Sequence, residues 1–392
     1  MKKRPPWILP TIIFSQFAGT SLWFAGNAVL GDLQRQWSMG AESLGYMISA
    51  VQLGFIAGTL CFAFFVIADR FSPRIVFFIC SLFGAFSNLL ISLVADGPAM
   101  LLVLRFLTGF FLAGIYPVGM KIAAGWYQRG LGKALGFLVG ALVLGTAFPH
   151  LLKGIGQTLP WETVILSVSG IAILGGIAMM ILVPDGPFAV KGTKFDSRAL
   201  MIIFQSRDVR SASFGYFGHM WELYAFLAFI PVILANYVTT NPEVSLNIPF
   251  WTFCIMAGGF FGCAGGGIIS KRIGSAAVAF IQLAASGICC LFSPLIFHAP
   301  FNVFLGILIF WGIVVSGDSP QFSTLVAKIA PQELVGSSLT IVNCLGFSIT
   351  IVSIQLLNAL YAYMNPDYIF LFLTIGPLFG LTFLRPLLHT GK

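Results

Sequence analysis

The sequence predicts an all-α membrane protein in which twelve transmembrane helices form two pseudo-symmetric six-helix bundles. Three observations carry that expectation: a composition too apolar for a water-soluble domain, apolar segments of membrane-crossing length, and a repeat about one polar loop. Hydrophobic residues make up 58% of the 392 residues and charged residues 9%, with a mean hydropathy of +0.95. A soluble domain carries roughly 25% charged residues.

Taken in order, the apolar segments run approximately over 8 to 30, 44 to 67, 74 to 95, 99 to 122, 131 to 153, 161 to 183, 211 to 235, 249 to 270, 274 to 297, 301 to 327, 335 to 361 and 367 to 388. Each is near the ~20 residues that a helix needs to cross a hydrocarbon core. The opening MKKRPPW is basic, as a secretory leader is, but the apolar run after it exceeds a leader's core and shows no small-residue cleavage pattern. It reads as the start of the first span.

The polar interruption from Pro184 to Arg210 divides the chain into an N-terminal bundle, 1–183, a linker loop, 184–210, and a C-terminal bundle, 211–392. The loop carries Lys191, Lys194, Arg198, Arg207 and Arg210 against Asp185, Asp196 and Asp208, so the positive-inside rule places it in the cytoplasm. With the N-terminus also inside, seventeen of the twenty-one Lys and Arg residues fall at cytoplasmic ends, while Arg35 and Lys153 fall in outer loops. That bias predicts both termini in the cytoplasm and a multi-pass protein of a bacterial inner membrane. The net charge of +8 is spread over short loops, without the clustered basic face that nucleic acid requires. The seven cysteines lie in apolar segments without metal-ligand spacing, so neither disulfides nor a metal site is expected.

The halves repeat. Asp69-Arg70, after the second segment, corresponds to Lys271-Arg272, after the eighth, and Gly114-Ile115-Tyr116-Pro117 corresponds to Gly317-Asp318-Ser319-Pro320. Two matches at nearly one offset suit the parallel-repeat architecture of secondary transporters. On these residues the chain resembles the major facilitator superfamily over its whole length. The family's loop motif, G-x-x-x-D-R-x-G-x-R, is met by Asp69, Arg70 and Arg74, with Phe65 and Ser72 in place of its glycines. The second copy keeps Gly267, Arg272 and Gly274, and the fourth-helix motif is met by Arg105, Gly109 and Ala113. The resemblance implies an alternating-access carrier gated by Asp69, Arg70, Arg74 and Arg272. Segments such as GTAFPHLL and GHMWELYAF also look like a bacterial subgroup, which brings no substrate with it. The Gly-Pro pair that marks helix 5 of drug antiporters is missing from GALVLGTAFPHLLKG, which weakens an efflux reading.

Charged residues at a helix centre cost about 2.5 to 3.5 kcal/mol on insertion scales, so each needs a partner, a cavity or a task. Arg105 shares a helical face with Gly109 and Tyr116, and is read as holding the anionic part of a substrate; the alternative is a side chain that snorkels to the outer interface. Lys121, near Trp126 and Tyr127, reads as snorkelling to the cytoplasmic side. Glu222 lies mid-span with His219 three residues before it on the same face. It is expected to couple transport to protons, steered by His219, with Asp318 as the competing site. Asp318 shares a face with Trp311 and Gln321, and its alternative is an inner gate ion pair. Gln16, Thr20, Trp23 and Asn27 fall on one stripe of helix 1 and are expected to line the cavity or to serve as packing contacts. Asn343 and Thr350 share a face of helix 11, and His150 reads as an interfacial histidine. The expected substrate-binding set is thus Gln16, Trp23, Asn27, Arg105, Tyr116, Trp311 and Asn343.

No zinc-hydrolase, serine-hydrolase or phosphate-loop motif is present, and neither is a selectivity-filter sequence. A carrier, not an enzyme or a channel, is expected, as a monomer without cofactor. One cation in the first half and two acids in the second suit proton-coupled uptake of a small organic anion or zwitterion. The alternative is proton-driven efflux of a drug or amphiphilic metabolite, which 40 phenylalanines could accommodate.

Overall fold

Helices dominate the chain because a helix pairs its backbone N–H and C=O groups within one segment, as a bilayer without water requires. The computed structural model describes residues 5–127, 131–156, 158–188 and 195–388, apart from the side chain of Asp69. Among the described residues there is no strand. The chain forms two compact units, Met1–Phe195 and Asp196–Lys392.

The first unit comprises α1 (Ile8–Thr20), α2 (Ala25–Ala28), α3 (Leu30–Trp37), α4 (Ser43–Phe64), α5 (Ile67–Arg70), α6 (Pro73–Leu93), α7 (Pro98–Leu112), α8 (Tyr116–Trp126), α9 (Leu131–Ile155) and α10 (Glu162–Leu182). The second comprises α11 (Arg198–Gln205), α12 (Arg207–Thr240), α13 (Ile248–Ile273), α14 (Ser275–Leu291), α15 (Ser293–Ile296), α16 (Phe301–Gly317), α17 (Ser319–Ile329), α18 (Val335–Tyr363), α19 (Pro366–Ile369) and α20 (Ile375–Leu388). Proline opens α6, α7, α8, α13 and α17 in the first turn, where its missing N–H has no helical partner to lose.

Ten helical stretches among the described residues are long and apolar enough to cross a membrane. The first and ninth expected spans are not among them, because each is interrupted. α1 ends where Thr20 Oγ1 donates to the Gln16 carbonyl at 2.7 Å and Ser21 Oγ to that of Ala18 at 2.7 Å, side-chain bonds that compete with the helix ladder. α14 gives way at Phe292 to α15, which carries a proline in its first turn.

The sequence repeat is visible in the packing. In the first unit a Cβ on Gly58 would collide with the Phe110 carbonyl, and one on Gly109 with the Val51 carbonyl. In the second unit a Cβ on Gly262 would collide with the Ile313 carbonyl, and one on Gly312 with the Ile255 carbonyl. The four correspondences, 58 to 262, 110 to 313, 109 to 312 and 51 to 255, are offset by 203 or 204 residues. Small residues let α4 meet α7, and α13 meet α16, backbone against backbone. Gly109→Ala and Gly312→Ala should therefore each lower stability by about 1–3 kcal/mol through overpacking. Gly170→Ala, where a Cβ meets open space, should not lower it. Thermal unfolding of the detergent-solubilised variants checks this, and equal midpoints for Gly109→Ala and Gly170→Ala would contradict it.

Candidate functional site

In the first unit the break after α1 leaves carbonyls without helical donors, and Arg105 on α7 supplies them. Its Nη1 donates to the Leu22 carbonyl at 3.1 Å and to Asn88 Oδ1 at 3.4 Å, and its Nη2 donates to the Trp23 carbonyl. Asn88 on α6 is itself held, donating to Ser169 Oγ of α10 at 3.0 Å. The guanidinium is 0% exposed, so it does not snorkel. It sits at the C-terminal end of a helix, where backbone dipoles favour a cation. Among the described residues no carboxylate lies within ion-pair distance of it, and its Nε has no hydrogen-bond partner. A Cβ on Gly26 would press on that guanidinium, so the bare backbone of α2 is what permits the approach.

The expected stripe of Gln16, Thr20, Trp23 and Asn27 is corrected in one respect. These residues do not share a continuous helix, because α1 stops at Thr20 and α2 begins at Ala25. Gln16 is fully buried with neither amide atom hydrogen-bonded, and the Asn27 Nδ2 is likewise unpartnered. Trp23 packs its ring 4.9 Å from that of Phe55, and Tyr116 is buried where α8 resumes after the Gly114 break. Gln52 on α4 was not anticipated; it is fully buried with both amide atoms unpartnered. Its signal in sequence is a lone amide in the middle of an apolar span.

In the second unit the acids separate. Glu222, on α12, accepts from Trp311 Nε1 of α16 at 2.7 Å and from Ser286 Oγ and Cys290 Sγ of α14 at 2.8 and 3.2 Å. Trp311, expected in the substrate site, has its indole N–H committed to that carboxylate and its ring stacked 4.4 Å from Phe226. His219 was expected to steer Glu222. Instead its Nδ1 lies 2.9 Å from Asp318 Oδ1, off the hydrogen-bond axis. The physical reason is the break between α16 and α17, which points Asp318 at α12 while Glu222 is taken up by nearer donors. The imidazole packs between Phe322 and Tyr216, with ring centroids 5.6 and 5.9 Å away. Tyr216 in turn donates to Asn343 Oδ1 of α18 at 3.0 Å. Glu222 and Asp318 are both fully buried.

Of the expected gating residues, Asp69 lies outside the residues whose side chains are described. Arg70 and Arg272 are exposed. Arg74 Nε lies 4.0 Å from Asp185 Oδ1, which also accepts from Ser72 Oγ at 2.7 Å. Exposed pairs of this kind are worth about 0–1 kcal/mol. Lys121 donates to the Ala68 carbonyl at 2.8 Å, directly beside the loop motif. Val66, three residues before Asp69, has φ of 55°, a strained conformation for a β-branched residue. His150 is buried.

A family model described as Major Facilitator Superfamily matches residues 12–354. The chain is 28% identical over 188 residues to "Uncharacterized transporter YgaY" of Escherichia coli O157:H7, covering 46% of each chain. It is 28% identical over 144 residues to "D-galactonate transporter" of Escherichia coli O6:H1, covering 36% of this chain and 33% of that one. It is 27% identical over 176 residues to "Probable galactarate/D-glucarate transporter GudP" of Bacillus subtilis, covering 41% of this chain and 38% of that one. Each match spans less than half of the relative's own length.

Proposed function

The chain belongs to the Major Facilitator Superfamily, and on that premise we propose that it is a secondary carrier for a small organic anion of the sugar-acid class. The observation that carries this reading is Arg105: a fully buried guanidinium with no carboxylate partner among the described residues and one unpartnered N–H. A buried charge is retained only when something offsets its desolvation. Backbone carbonyls do part of that here, and an anionic substrate would complete it. Unpartnered buried amides in the same unit, on Gln16, Gln52 and Asn27, suit the hydroxyls of a polyhydroxy acid. Two of the relatives carry sugar acids in their names, which supports the same class.

The working cycle is alternating access by twelve helices in two six-helix halves, with Asp69, Arg70, Arg74 and Arg272 at the gates. Both termini and the linker face the cytoplasm of a bacterial inner membrane, and the carrier acts as a monomer. Uptake is coupled to protons through His219 and Asp318, two titratable groups in contact, while Glu222 is held by three donors as a structural acceptor. Trp23 and Tyr116, in the same unit as Arg105, flank the polar groups that read the substrate.

Ligands that bind only the folded state raise its stability by about 2.7 kcal/mol at a hundredfold excess over Kd. D-galactonate or D-glucarate should therefore raise the thermal midpoint of the purified protein, and the neutral sugar D-galactose should not. A shift with galactose equal to that with galactonate would remove the anion from this reading.

A further inference from the structure

The short helix α11 stands apart from the spans in what it shows to its surroundings. Ala199 and Ile203, one turn apart, are fully buried where the helix packs against α12 and α18. Its opposite side carries Leu200, Met201 and Phe204, which are 43%, 57% and 49% exposed. On a 100° wheel these three cover one arc, and Arg198 and Gln205 cover the next.

Both ends of α11 are fixed. At its start, Arg198 Nε and Nη2 bond Asp196 at 2.9 and 2.6 Å, and the Asp196 N–H donates to Ser337 Oγ of α18 at 2.9 Å. The Arg198 hydrogen bonds hold Asp196 below the usual carboxylate range. The pair therefore persists through neutral pH and is lost only as pH falls through that depressed value. At the other end, Arg210 Nη1 donates to the Phe204 carbonyl at 2.9 Å.

The exposed apolar arc is continuous with the outer surface of the spans. Phe204 meets Phe214 of α12 with ring centroids 6.0 Å apart, and Phe214 meets Phe379 and Phe383 of α20 at 5.6 and 4.8 Å. Phe379 is itself 40% exposed on a membrane-length helix. In sequence the helix is flanked by an excess of cations: from Lys191 to Arg210 there are five basic residues, Lys191, Lys194, Arg198, Arg207 and Arg210, against Asp196 and Asp208. An apolar arc continuous with a bilayer-facing surface and flanked by cations matches the interface of an anionic bilayer.

We propose that α11 is an interfacial anchor that beds Leu200, Met201 and Phe204 into the bilayer boundary and gathers anionic phospholipid headgroups about the linker's basic residues. The proposal is independent of the substrate. Its test uses the full chain carrying Met201→Trp, in phosphatidylcholine vesicles containing a fixed minor fraction of acyl-brominated lipid. Quenching is read as the increment over the parent protein, which has its own eight tryptophans. Lipid brominated near the headgroup should quench residue 201 more than lipid brominated near the chain end. At equal mole fraction, brominated phosphatidylglycerol should quench several-fold more than brominated phosphatidylcholine. Adding Lys191→Gln, Lys194→Gln and Arg207→Gln should remove that excess and leave the depth dependence. If Met201→Trp does not fold, Leu200→Trp serves in its place. No quenching increment from any lipid overturns the anchor: aqueous iodide reaching residue 201 would mean a solvated face, and iodide failing to reach it a protein cover. Equal quenching by the two headgroups overturns the anionic preference.

Discussion

Arg105→Lys is expected to leave a folded protein whose apparent affinity for a sugar acid has fallen about ten- to a hundredfold, equivalent to ~1.4–2.8 kcal/mol. The ammonium keeps the charge but is a compact point donor, whereas the guanidinium is a planar fork that now spans Leu22, Trp23 and Asn88. The three donors of lysine radiate from one nitrogen, so they do not reproduce the spread of the fork across both carbonyls and a substrate carboxylate. Each buried carbonyl left unpaired costs about 1–3 kcal/mol, so stability falls as well, and binding must be measured on the fraction that is folded by size exclusion. Arg105→Gln separates the two roles further: it retains donors for the helix break but no charge, and should abolish transport of the acid. If Arg105→Lys transports with the parental apparent affinity, Arg105 is a clasp for the break after α1 and nothing more.

Asp318→Asn is expected to abolish accumulation driven by a proton gradient while exchange between preloaded vesicles continues. The residue is buried at a helix break with His219 as its close titratable neighbour, so a proton can be shared or released between two groups as their separation changes. The amide cannot take part. Glu222→Gln should behave differently. Glu222 accepts from three donors; a carboxamide that keeps its oxygen on Trp311 and Cys290 turns its NH2 group to Ser286 Oγ, which can accept it while donating to the Leu283 carbonyl. The fold is therefore expected to survive at a cost of about 1 kcal/mol, with gradient-driven uptake retained in the folded fraction. If Glu222→Gln loses gradient drive and Asp318→Asn keeps it, the coupling residue is Glu222.

The membrane class, the polar stretch between halves and the repeat were legible because they rest on summed composition and on spacing. The offset read from Asp69-Arg70 and Gly114-Ile115-Tyr116-Pro117 recurs within two residues in the collisions at Gly58, Gly109, Gly262 and Gly312. The interruption of helix 1 was not legible, since Ser21-Leu22-Trp23-Phe24 contains no proline and its competing side-chain bonds come from ordinary Thr and Ser residues. Buried charges could be found in sequence but not paired. His219 and Glu222 share a helix, and spacing alone joins them, whereas Asp318 comes from α16–α17 and Ser286 and Cys290 from α14. Asn88 and Ser286 look like small polar residues of an apolar span until a charge is found at their side chains.

Counterflow tests the carrier reading most directly. Proteoliposomes holding the full chain are preloaded with unlabelled D-galactonate, diluted into a trace of labelled D-galactonate with no ion gradient, and followed over time. A carrier that alternates access exchanges one molecule for another, so preloading should produce a transient accumulation of label above equilibrium. That overshoot should disappear in Arg105→Gln. Uptake unaffected by preloading, in protein shown by thermal shift to bind galactonate, would contradict alternating access and leave a pore or a receptor in its place.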